Sequence, residues 1–170
     1  MAIAFSVFGS VPLLLLALSP AGDEPKKGSP LDRIKALSGE WVQVGEDGKP
    51  TTDVISSYRV TAAGSAVVET LFAGTGHEMV TVYHMDGEDL MLTHYCAMGN
   101  QPRMKAKRGA SADRLEFECA GGTNMKSEED RHMHSATVEF LGPDRLRSEW
   151  VQSAGGKKGE SVKFDLARKK

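Results

Sequence analysis

From residue 40 onward apolar and polar side chains alternate, and the alternation breaks into ten short runs, over 40–46, 57–62, 66–73, 77–85, 89–97, 103–108, 114–119, 132–141, 145–152 and 160–167. A period of two predicts strands whose successive side chains face opposite sides of a sheet. Turn residues separate the runs: Asp47-Gly48, Ala63-Gly64, Gly74-Thr75-Gly76, Asp86-Gly87, Gly109 with Asp113, Gly121-Gly122, Gly142-Pro143-Asp144 and Gly155-Gly156. Asp86-Gly87 between two alternating runs is the strongest hairpin signal. Ten strands in this length leave no room for crossover helices, so the expectation is all-β: an antiparallel up-and-down barrel, with a long β-sandwich as its competitor.

Before the strands the period is different. Ser29-Pro30-Leu31-Asp32 offers a cap, a proline at the first helical position and an early acid, and Leu31, Ile34 and Leu37 recur at helical spacing until Gly39. One short N-terminal helix is therefore expected. Further upstream, residues 1–21 carry no charged side chain and hold the apolar run Val11 to Leu18, with Ser19 and Ala21 placed as for a peptidase cut. They read as a signal peptide, too short to remain as a membrane span, so the protein is expected to be exported, periplasmic or extracellular. Residues 22–28 read as a linker and 29–170 as a single domain.

The formal net charge is −2 with acids and bases interspersed, which gives no footprint for nucleic acid. The chemistry-bearing residues show a pattern once strand polarity is applied. In a meander, the C-terminal ends of odd strands and the N-terminal ends of even strands share one rim. His77, His94, Cys96, Cys119, His132 and His134 all fall at that rim; only His84 falls at the other. Alternation places His94 and Cys96 on the face of Leu90 and Leu92, Cys119 on that of Leu115 and Phe117, and His132 and His134 on that of Ala136, Val138 and Phe140. Five of the six thus point into one end of the barrel.

Imidazole and thiolate are the common ligands of zinc and copper, and His94, Cys96, His132 and His134 form the candidate metal set. The same side chains suit an organic ligand, with His77, Asn100, Gln101, Arg103, Asn124 and Trp150 as further contacts at this rim. A polar cluster without a ligand is the third reading. Trp41 is placed to plug the opposite end, and core packing is the default for both tryptophans. An enzyme using His94 as general base with Glu78 or Glu69, a hydrolase or isomerase, competes and requires a cavity carboxylate bonded to that imidazole. Cys96 and Cys119 lie on strands separated by a third, beyond disulfide reach in a flat sheet.

The helix followed by Gly39-Glu40-Trp41 and ten strands resembles the calycin group, notably the nitrobindin-like and fatty-acid-binding-type barrels. Gly76-His77-Glu78-Met79, Thr93-His94-Tyr95-Cys96, Gly99-Asn100-Gln101-Pro102-Arg103-Met104 and His132-Met133-His134 resemble stretches of exported bacterial lipocalin-like proteins. The resemblance implies a ligand-binding barrel. Nitrobindin-like proteins hold haem through a histidine near the C-terminus, and the last two strands here contain none, which speaks against haem.

Overall fold

A computed structural model describes residues 28–109 and 111–170. The expected signal segment, 1–21, and all but the last residue of the linker lie outside them. A short helix α1 (Pro30–Lys35) precedes ten strands, β1 (Gly39–Val44), β2 (Pro50–Thr61), β3 (Ala66–Leu71), β4 (Met79–Asp86), β5 (Asp89–Tyr95), β6 (Gln101–Ala106), β7 (Arg114–Thr123), β8 (His132–Gly142), β9 (Arg145–Ala154) and β10 (Lys157–Arg168). Each strand pairs with its sequence neighbour, and β1 pairs with β10, which closes an antiparallel barrel. The sandwich alternative is thereby overturned. Such a barrel is consistent with the calycin type of fold.

The boundaries shift in a physically readable way. β2 starts at Pro50 rather than 57, because its first residues pair with β1 across two register shifts, and β7 runs on to Thr123. Gly-rich or proline-led sequence hid both extensions, since strand propensity is lowest there. Helix α1 forms as expected: Ser29 Oγ accepts from the Leu31 amide while Asp32 returns a bond to the Ser29 amide. Gly39, at φ 122°, makes the reversal from helix to β1 that a side chain would resist. The β4–β5 hairpin closes with Asp86 opposite Asp89, and Gly87 takes the first turn position at φ 58°.

Inward positions fill one contiguous core. It runs from Leu31, Ile34, Leu37 and Trp41 at the helix end through Val67, Tyr83, Leu92, Met104 and Phe117 to Trp150 and Leu166. Burying a large side chain of this kind is worth about 1.5–3 kcal/mol. Trp41 does plug the helix end: its Nε1 donates to the Leu37 carbonyl at 2.7 Å, and Arg168 lies over its ring. Arg168 also donates to the carbonyls of Ala36, Ser38 and Pro143 and pairs with Asp144, so one guanidinium ties the last strand to the helix and to the β8–β9 turn. Among the described residues no helix is long and apolar enough to cross a membrane.

Candidate metal centre

The strand register builds a polar belt inside the barrel. Tyr58 pairs with Glu69, Glu69 with Thr81, and Thr81 with His94, so four inward polar residues stand side by side across β2 to β5. Both Glu69 oxygens are used, one accepting from the Tyr58 hydroxyl and the other from the Tyr83 hydroxyl, each at 2.7 Å. The carboxylate is 2% exposed. Burial raises its pKa above the ordinary carboxylate range, with the two hydroxyls opposing that shift, and burial also raises the pKa of both tyrosines. His94 shares a 2.9 Å hydrogen bond between its Nδ1 and Thr81 Oγ1, and its Nε2 is buried without a partner. Burial holds the imidazole's pKa down to about 4, so it is neutral over the physiological range.

The His94 ring stacks on Trp150 with centroids 4.6 Å apart. β5 and β9 lie on opposite sides of the ring of strands, so these two side chains meet across the lumen and occupy it at that height. Trp150 belongs to the core. Among the described residues no carboxylate bonds to His94: Glu69 is spent on the tyrosines, and Glu78 accepts from the Gly74 amide outside the barrel. The condition set for general-base chemistry at His94 is not met.

Nearer the rim, the middle of β7 and the start of β8 bring three ligating side chains together. Cys119, His132 and His134 place one ligand atom each within 4.8 Å of one another, the one such group of three among the described residues. His132 is fully buried, Cys119 is half-buried and His134 is exposed. The protonation pattern follows from the bonds. His132 Nδ1 lies 2.6 Å from the Asp130 carbonyl, which can only accept, so Nδ1 donates, and in the neutral tautomer that this selects Nε2 carries the lone pair. That nitrogen accepts from His134 Nδ1 at 3.1 Å, a hydrogen bond whose span is close to the roughly 3.3 Å that separates two imidazole nitrogens sharing a tetrahedral ion with bonds of about 2.0 Å, once the His134 proton has moved to Nε2. A ring fixed through its second nitrogen by a carbonyl is how protein metal ligands are oriented. Cys119 currently directs its thiol to the Gly121 carbonyl at 3.7 Å.

The sequence-selected residues divide between this cluster and other duties. His132 and His134 are in it, with Cys119. His94 stands in the belt below, against Trp150. Cys96 is buried in the tight turn after β5, where its amide bonds to the Asn100 carbonyl and burial raises its thiol pKa. Both cysteines are free thiols. Asn100 donates to the Arg131 carbonyl, Gln101 and Asn124 donate to the Gly99 carbonyl, and Gln101 accepts from Thr123, so these amides fasten one loop to the next. His77 is exposed in the turn before β4, and Arg103 is exposed on β6.

A cleft of about 490 Å³ opens beside His134, lined also by Glu118, Glu128, Glu129 and Lys158. A larger cavity, about 730 Å³, lies at the opposite end, between α1 and the ends of β5 to β7. Charges in its lining neutralise one another, Glu88 and Asp89 with Arg108, and among the described residues it gathers no set of three metal-ligating side chains. The smaller cleft is the one that reaches reactive chemistry.

A scan against protein-family models matches none, and searches of curated proteins and of solved structures return no significant match. The site is therefore read from its own geometry.

Proposed function

We propose that the protein is an exported metal-ion-binding barrel that holds one zinc or copper ion through Cys119, His132 and His134 at the open rim. The carrying observation is the convergence of three ligand atoms within 4.8 Å, one of them on a ring already oriented through the Asp130 carbonyl. Three protein ligands leave a further coordination position to be filled, and His134 puts the ion beside the solvent cleft. The set draws on His132 and His134 as anticipated, and takes Cys119 in place of His94 and Cys96.

The test is metal content and affinity of the purified mature chain. One zinc or copper per chain is expected, and Cys119→Ser and His132→Ala should each weaken binding by at least about tenfold. Failure to bind either metal, or undiminished binding in both variants, would overturn the reading. Export is tested separately, by N-terminal sequencing of protein secreted from its host: a start at Gly22 is expected, and an intact Met1 in the cell interior would refute it.

A further inference from the structure

We infer that the rim cluster is a copper site whose fourth ligand is the thioether of Met104; this rests on the metal reading above. Met104 on β6 is the direct cross-strand partner of Cys119 on β7. Directly opposed residues on one face of an antiparallel pair hold their Cβ atoms about 4.5–5.5 Å apart, within the reach of a methionine side chain. Both residues face the interior: Met104 is 0% exposed, and Cys119 continues the face of Leu115 and Phe117, which are buried. The register shift between Pro102 and Met104 matters here, because it leaves Met104, not the exposed Lys105, opposite the thiol.

The chemistry of the resulting set is selective. Two imidazoles and a thiolate in a roughly trigonal arrangement with a thioether to one side suit copper, and a soft thioether favours the cuprous ion. Zinc can use the three stronger ligands but has little use for the fourth. Thiolate and thioether donors are the soft ligands that select cuprous copper. Binding displaces the Cys119 proton to solvent and needs no redox partner. Met104 lies in the dry core while His134 reaches water, so the ion would sit at the boundary between a packed lumen and the cleft.

The experiment compares cuprous copper and zinc on the intact mature chain and on Met104→Leu, a near-isosteric change that a packed core tolerates. One cuprous ion per chain is expected in both proteins, with about tenfold weaker copper binding in the variant and unchanged zinc binding. A purely structural role for Met104 would lower both affinities together, and that result, or equal copper affinity in the two proteins, overturns the inference. X-ray absorption at the copper edge of the unaltered protein gives an independent readout: two sulfur scatterers are expected, and a single sulfur overturns the proposal. Zinc binding with only one sulfur on copper would leave the metal reading standing alone. Absence of any bound metal would remove both.

Discussion

The buried pair of tyrosines around Glu69 shows how much one carboxylate can organise. Each hydroxyl satisfies one oxygen, and neither oxygen has access to water. Tyr83→Phe therefore leaves Glu69 Oε2 without a donor and should cost roughly 1.5–3 kcal/mol, read as a lower denaturation midpoint in urea. His94 supplies a second residue-level prediction. Its folded pKa of about 4 lies below the unfolded value of 6.5, so the unfolded chain takes up a proton first as pH falls. The stability that the neutral ring provides is complete above about pH 6.5 and is lost as pH drops toward 4, by up to about 3 kcal/mol. His94→Gln, which does not titrate, should flatten the difference between denaturation measured at pH 7 and at pH 4.5. An unchanged difference would show that other groups carry it.

Among the elements, the β6–β7 pair positions the cluster and is the least tolerant of added volume. A Cβ on Gly122 would stand 2.9 Å from both the Gln101 carbonyl oxygen and the Pro102 Cα, two backbone positions that cannot step aside. Gly122→Ala should destabilise the fold by about 1–3 kcal/mol and, by displacing the end of β7, weaken metal binding as well. Calorimetric melting and metal titration of the same variant check both parts. This region also shows the limits of sequence reading. Alternation correctly carried Cys119 inward with Leu115 and Phe117, but in β8 it ran through a bulge. The register slips between Met133 and Ser135, and His134 turns out to solvent while His132 stays inside. A bulge inserts one residue without any obligatory residue type, so the period-two pattern gave no warning. Met104 was equally silent, because its pairing with Cys119 depends on a second slip, one extra residue of β7 between Cys119 and Gly122.

At the scale of the molecule, the order and polarity of the strands were legible because short turns between alternating runs allow little besides a meander. Convergence of distant histidines and cysteines at one rim followed from that order alone. What stayed hidden was depth: His94 and Cys119 both point inward, yet one is locked under Trp150 and the other reaches the rim cluster. Closure itself was readable only as a tendency, since nothing in β1 or β10 states that they pair. Arg168 is the side chain that secures the seam, and Arg168→Ala, which strips charged hydrogen bonds from three carbonyls and exposes the Trp41 ring, should cost roughly 2 kcal/mol or more in thermal or chemical denaturation. The pairing of first strand with last has one more effect. With every ladder continued onto a neighbour, the wall formed by the described residues presents no unsatisfied strand to which a foreign peptide can be stitched. Recognition by another macromolecule is then confined to the loops and side chains, and self-assembly into fibrils first requires the hoop to be cut.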